Sequence, residues 1–162
     1  MDIDKLIYDL AIKAGFSKKL ALLIVAQARF ESADYSNNQT KLNNNLFGFK
    51  FVNQPLAKQG NKSPEGNYYA KYASLQDSVK DYIERYFNIT RAGVTAQDLK
   101  NSVDSTDFAK KLKQRGYFGA SAAQYAAGLE SKLQKINIKA VAIGGGVFAL
   151  IAVVIYLVIK KK

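Results

Sequence analysis

The 162-residue chain contains no cysteine, no histidine and no tryptophan. Without cysteine there is no disulfide framework, and the redox compartment cannot be read from the residues. Without cysteine and histidine, Cys–His and Ser–His–Asp nucleophilic schemes are excluded. A zinc site of the usual nitrogen and sulfur type is excluded too. No metal and no cofactor is expected. What remains is carboxylate chemistry assisted by tyrosine, lysine or serine. Carboxylates are themselves scarce, with 13 acidic residues against 24 basic ones and a net charge of +11. Only four of the acids are glutamates: Glu31, Glu65, Glu84 and Glu130.

Long uncharged runs are also missing until the end of the chain. Residues 140–159 read AVAIGGGVFALIAVVIYLVI, with Lys139 before them and Lys160, Lys161 and Lys162 after. A run of about twenty apolar residues matches a bilayer core, and flanking lysines suit its interfaces. We therefore expect two parts: residues 1–138 as one folded domain, and residues 139–162 as a transmembrane helix with a basic tail. Gly144, Gly145 and Gly146, with Ala140 and Ala142 before them, permit close helix–helix association in the membrane. The start of the chain is acidic, and its first apolar run is too short and too far in for a signal peptide. Localisation is thus expected at a membrane, through a single C-terminal anchor. Lysines at both ends leave topology open.

Residues 1–138 carry 20 basic and 13 acidic residues, a net +7, without long blocks of one sign. Such a surface suits an acidic partner such as cell-wall polymers or anionic lipid. No nucleic-acid module is visible and no nucleic-acid partner is expected. The ten tyrosines suit sugar rings as well as bases.

The chain is organised around residues 20–50, LALLIVAQARFESADYSNNQTKLNNNLFGFK. A helix is predicted from Ser17, a capping residue, and is apolar nearly all round through 20–30, as for a central buried helix. Glu31 falls where it ends. Burial and the negative end of the helix dipole both raise a carboxyl pKa, and a carboxyl protonated near neutrality can act as a general acid. The same position also fits an ordinary solvated glutamate. Next comes a polar loop over 32–45 with Asn37, Asn38, Asn43, Asn44 and Asn45, residues that form turns and that could also bond sugar hydroxyls.

Elsewhere, helices are predicted over 4–14, with Ile3, Leu6, Ile7, Leu10 and Ala14 inward; over 75–88 from a Ser74–Asp77 cap; from Thr95; from Ser105 to Gly116; and from Ser121. This last helix is expected to run on into the membrane span through 136–139. Alternation at Phe47, Phe49 and Phe51 and at Tyr68, Ala70 and Tyr72 predicts two strands of a hairpin. About six helices and one hairpin make the fold class α+β, mainly helical.

Several pieces of this sequence resemble the endo-β-N-acetylglucosaminidases of glycoside hydrolase family 73: Ala26-Gln27-Ala28, Glu31-Ser32, the stretch Asn44-Asn45-Leu46-Phe47-Gly48-Phe49-Lys50, then Tyr72-Ala73-Ser74 through Ser78, and Arg115-Gly116-Tyr117 with Tyr125-Ala126. They fall in the family's order over residues 5–135. The resemblance implies a lysozyme-like domain with a small β-lobe and an enzyme acting on peptidoglycan glycan strands. It implies Glu31 as general acid, Tyr117 as an active-site tyrosine, and a second carboxylate on the lobe. Glu65 is the only acid between Asp34 and Asp77 and is the candidate. Asn44, Asn45, Phe47, Tyr35 and Tyr125 are candidate substrate contacts, Tyr125 being equally a core residue. The sequence departs from the family where Ala33-Asp34-Tyr35-Ser36 replaces a Gly-Trp-Gly segment, where Phe118-Gly119-Ala120-Ser121 replaces a Thr-Asp-Pro segment, and where Phe49 replaces Ile or Val.

Three other readings stay open at this point: a muramidase or lytic transglycosylase, a non-catalytic glycan-binding or structural membrane protein, and a permeabilising protein that uses only the tail. A wall enzyme with a membrane segment and no export signal also fits a lysin carried in the membrane of a lipid-containing phage virion.

Overall fold

The computed structural model describes residues 2–142. Residues 143–162 fall outside that range, and with them most of the expected membrane span and its glycines. Among the described residues no helix is long and apolar enough to cross a membrane. The architecture is mainly helical, with one small antiparallel sheet of two strands.

The first helix, α1 (Ile3–Lys13), starts where the Asp2 side chain accepts from the Lys5 amide. Its inner face is Ile7, Tyr8, Ala11 and, unexpectedly, Asp4, whereas Ala14 is exposed. Asp4 lies inside because it has partners there, described below. The second helix, α2 (Lys18–Glu31), begins at the expected cap, with Ser17 accepting from Leu20 N. Its run from Leu23 to Ala28 is buried without interruption. Each fully buried Leu, Ile or Val stabilises by roughly 1.5–3 kcal/mol, so α2 is the helix around which α1 and a later helix, α7 (Ala122–Leu133), pack.

The expected loop over 32–45 contains a short helix, α3 (Asn38–Asn43), capped by Asn37 and ended by Asn44 at φ 50°. Apolar periodicity does not reveal it, since its one apolar side chain, Leu42, points to solvent. The hairpin also differs from expectation. Its first strand is β1 (Ala57–Lys62), and β2 (Tyr68–Tyr72) is its second, as predicted. The 49–51 segment lies along the other edge of β2: Ala70 N donates to Phe49 O at 2.9 Å and Phe51 N to Tyr68 O at 2.8 Å. The sequence of β1, AKQGNK, has no apolar alternation because neither of its faces is buried. Gly60 is needed there, since a Cβ would lie 2.7 Å from Asn43 Oδ1 and 2.9 Å from the Tyr69 carbonyl.

Helix α4 (Leu75–Asp81) widens into a π-helical segment, Tyr82–Phe87, where the 75–88 helix was expected to stay regular. The wider turn buries Tyr82, Ile83, Tyr86 and Phe87 together. Helices α5 (Ala96–Lys100), α6 (Ser105–Gln114) and α7 follow, α5 and α7 with complete capping boxes and α6 capped by Asp104 rather than started by Ser105. Helix α7 stops at Leu133 instead of continuing through 136–139. A separate α8 (Ile138–Ala142) starts after it, and Val141 is buried against the core. The expected boundary at 138 falls inside this closing segment.

Candidate active site

Glu31 is the last residue of α2, and the fold covers it with aromatic side chains. The Tyr125 hydroxyl on α7 donates to Glu31 Oε1 at 2.5 Å. Glu31 Oε2 makes no hydrogen bond among the described residues and points toward Gly48, whose Cβ, if present, would lie 4.0 Å away. Burial pushes the Glu31 carboxyl above its ordinary value, and the Tyr125 hydrogen bond opposes that. The result is a carboxyl group with one oxygen held and the other free to carry a proton.

The surrounding wall is continuous. Phe118 stacks on Tyr125 with ring centroids 3.8 Å apart, and Phe30 meets it edge-on at 5.1 Å. Phe30 remains 38% exposed. It seats over Gly128, where a Cβ would come within 2.3 Å of its ring. Tyr117 lies edge-on to Tyr125, Tyr86 and Phe49. Below them Phe47 stacks on Tyr82 at 4.1 Å.

Each expected site residue has a definite place. Glu31 and Tyr125 meet directly. The Tyr117 ring belongs to the same cluster, but its hydroxyl donates to the Phe47 carbonyl at 3.0 Å and so fixes the strip carrying Gly48. Phe47 is only 2% exposed, a core ring rather than a platform open to sugar. Asn45 is fully buried, its Nδ2 donating to the carbonyls of Phe49 and Ala70 and its Oδ1 accepting from Phe49 N. Asn44 Nδ2 donates to the Tyr72 and Ala73 carbonyls. Both amides therefore join the sheet to the helices. A buried amide such as that of Asn45 requires such partners, and both residues have theirs in the backbone.

Tyr35 is turned away from Glu31. Its hydroxyl donates to Asp4 Oδ1 at 2.6 Å. Arg29 Nε and Nη2 bond both oxygens of the same Asp4 at 2.7 to 3.0 Å, and Arg29 Nη1 reaches Asp34 at 3.2 Å. Lys132 Nζ closes the group on Asp34 at 2.6 Å. The hydrogen bond to Asp4 pushes the Arg29 pKa up. This network holds Ala33, Asp34 and Tyr35, three consecutive residues at φ 50°, 54° and 68°. Side chains with a Cβ are strained in that region. The turn sits where the family segment noted above has glycines.

Glu65 stands in the turn between β1 and β2, well exposed, with Lys50 Nζ at 3.1 Å. Lys50 is three residues after Phe47, so this ion pair links the hairpin turn to the strip beside Glu31. No hydrogen bond or ion pair joins Glu65 to Glu31. Among the described residues no cluster of three potential metal ligands occurs.

Residues beside Glu31 not named as site residues from the sequence are Gln27, Tyr82, Phe30 and Phe118, although Gln27 falls in one of the family-like motifs and Phe118 in a departing segment. Gln27 carried a readable signal: it is the one polar residue inside the buried run of α2, one helical turn before Glu31.

The family described as mannosyl-glycoprotein endo-beta-N-acetylglucosaminidase matches residues 8–138, most of the chain. The chain belongs to this glucosaminidase family. It is accordingly a glycoside hydrolase, which sets aside the non-catalytic readings of this domain. No curated protein matches it. Solved structures that resemble this glucosaminidase include a peptidoglycan hydrolase from Sphingomonas sp. A1, with a TM-score of 0.62, 21% identity, and 92% of this chain and 98% of that one covered. The catalytic domain of the autolysin Auto from Listeria monocytogenes aligns with a TM-score of 0.56, 21% identity, and coverage of 86% and 82%. A type VI secretion effector–immunity complex from Pseudomonas protegens gives 0.58, 19% identity, and 80% and 84%. At these identities the likeness is one of fold.

Proposed function

We propose that this glucosaminidase hydrolyses the glycan strand of peptidoglycan at the β-1,4 bond following N-acetylglucosamine, with Glu31 as general acid. The observation that carries the reading is the asymmetry of the Glu31 carboxyl: Oε1 is held by Tyr125 and Oε2 is free toward Gly48. Glycosidic cleavage needs a proton delivered to the leaving oxygen while an oxocarbenium-like centre develops. Burial that raises the carboxyl pKa keeps that proton available. Family membership supports the bond type, and the structural likeness to a peptidoglycan hydrolase and an autolysin supports the polymer.

Glu65 is the proposed base for the attacking water, an exposed acid on the hairpin turn paired with Lys50. The rest of the proposal concerns place. Residues 140–159 anchor the enzyme in a bilayer; the supports are the uncharged run and its flanking lysines.

The test is digestion of purified peptidoglycan by the full chain in detergent, with the new sugar ends identified by mass spectrometry. Reducing N-acetylglucosamine ends, absent with Glu31→Gln, are expected. Reducing N-acetylmuramic acid ends mean a muramidase, and 1,6-anhydro ends a transglycosylase. Full activity in Glu65→Gln assigns the second role to the acetamido group of the substrate instead.

A further inference from the structure

Aromatic side chains surround Glu31, and most of their faces are already taken. Tyr125 is covered by Phe118 and Phe30. The Phe118 ring carries Lys113 Nζ at 5.7 Å, and the Phe49 ring carries the Arg85 guanidinium at 5.1 Å. Phe47 is buried in its stack on Tyr82, and Tyr35 is turned to Asp4. Phe30 is different. Among the described residues it and Tyr68 are the two exposed aromatic side chains, and Tyr68 stands on β2 of the hairpin. Phe30 directly precedes Glu31 and meets the ring whose hydroxyl holds Glu31 Oε1. It is therefore the open aromatic surface beside the acid.

The ring is seated rather than loose. Glycine weakens a helix interior, yet Gly128 occupies the middle of α7, and the Cβ it lacks leaves the room that Phe30 fills. Tyr125, Gly128 and Lys132 are spaced three and four apart and share one face of α7. Along that face come the Glu31–Tyr125 pair, then the Phe30 ring, then the ion pair of Lys132 with Asp34 at 2.6 Å. The Asp34 amide donates to the Arg29 carbonyl at 2.8 Å, which folds the turn back against the end of α2. The hydrogen bond from Lys132 holds the Asp34 carboxyl below its ordinary value, so it stays an acceptor. Lys132 has three protons and gives one to Asp34. A sugar ring is divided in the same way, with an apolar C–H face and hydroxyl groups around its rim.

We propose that this strip is a sugar subsite of the glycan cleft: Phe30 stacks on the apolar face of the sugar next to the scissile bond, and Asp34 and Lys132 bond its hydroxyl groups. The inference rests on the reading of Glu31 as the acid for a glycan strand. Covering the exposed ring removes apolar surface from water, and the ion pair beyond it fixes how the sugar lies.

The test uses the full chain in detergent. Binding is measured by calorimetry in the Glu31→Gln protein, with a soluble oligomer of N-acetylglucosamine as the probe. Phe30→Leu keeps an apolar side chain over Gly128 and removes the flat ring, while Phe30→Trp enlarges it. Phe30→Leu should raise Kd about tenfold, and Phe30→Trp should bind at least as tightly as the unsubstituted ring. Lys132→Met should raise Kd several-fold. With Glu31 intact, Phe30→Leu should raise KM on peptidoglycan about as much as it raises Kd, with kcat nearly unchanged, as for lost uniform binding. A folded Phe30→Leu protein whose Kd and KM are unchanged, or which loses only kcat, overturns the stacking role and leaves Phe30 a packing support for Tyr125. Unchanged binding in Lys132→Met removes the ion pair from the subsite. No binding of the oligomer overturns the subsite as a whole. Binding that depends on Phe30, in a protein that cleaves no glycan with Glu31 intact, upholds the subsite while the functional reading fails.

Discussion

Tyr125 holds Glu31 by one oxygen: the phenol donates to Oε1 at 2.5 Å from a helix 94 residues further along the chain. The bond sets two opposing influences on one group. Burial favours the neutral carboxyl, and the phenol favours the ionised one.

Removing the phenol should shift that balance. In Tyr125→Phe the Glu31 pKa should rise, since the interaction that lowers it is gone. The alkaline limb of kcat/KM should therefore move to higher pH. Activity at its optimum should drop about tenfold to a hundredfold, because a hydrogen bond to a charged group is worth roughly 1.5–3 kcal/mol. A pH–rate profile on peptidoglycan checks both.

Glu31→Gln should behave differently in stability than in activity. Cleavage should fall by at least roughly a hundredfold, the lower range for a lost general acid. The folded protein, however, should be as stable as the parent or more so near neutral pH. A carboxyl whose folded pKa lies above its unfolded value binds more protons in the folded state, so it favours folding at acid pH and loses that contribution as pH rises through the folded value. The amide does not titrate. Urea unfolding at acid and neutral pH should show the variant gaining on the parent only at the higher pH.

The turn after Glu31 offers a separate test. Ala33 sits at φ 50°, where glycine is unstrained. Ala33→Gly should stabilise by about 0.5–1 kcal/mol, the usual scale for relieving a left-handed alanine. Arg29→Met should do the reverse. It leaves Asp4 buried with only Tyr35 as a partner, and breaking a buried ion pair from one side costs roughly 3–5 kcal/mol. Denaturant midpoints measured for both variants decide.

Asn45→Ala should mimic loss of a site residue without being one. Three hydrogen bonds to the backbone of Phe49 and Ala70 disappear, and each orphaned buried group costs roughly 1–3 kcal/mol. Activity should fall in step with the folded fraction measured by circular dichroism. Loss of activity in a protein that unfolds like the parent would instead restore Asn45 as a substrate contact.

Gly128→Ala sets helix propensity against packing. Alanine in the middle of α7 gains about 1 kcal/mol over glycine, but its Cβ meets the Phe30 ring at 2.3 Å. Phe30 is partly exposed and can swing outward, so stability should change by less than about 1 kcal/mol. The edge contact of Phe30 with Tyr125 is lost, and cleavage should drop several-fold in a thermal-unfolding-matched assay.

How much of this was legible beforehand differs by element. The helices that bury an apolar stripe, α1, α2 and α7, carry their periodicity and caps in the chain. So does the placement of Glu31 at the end of α2. Helix α3 and strand β1 carry no such stripe, because asparagine caps and backbone pairing form them. The π-helical segment was unreadable for a related reason: an extra residue in the turn leaves the apolar pattern nearly unchanged while re-aiming Tyr82 and Tyr86.

The amino-acid sequence by itself determined the chemistry open to this protein. Lacking cysteine and histidine, it left carboxylates, and its motifs singled out one of four glutamates. The tertiary structure decided what surrounds that carboxylate. It brought Tyr125 to Glu31, turned Tyr35 toward Asp4, and directed Asn44 and Asn45 to the backbone. Apart from the two local bonds of Asn45 to Phe49, these outcomes depend on hydrogen bonds between residues 25 to 94 apart, and the partner of a buried polar group is settled by what packs beside it rather than by its neighbours in the chain alone.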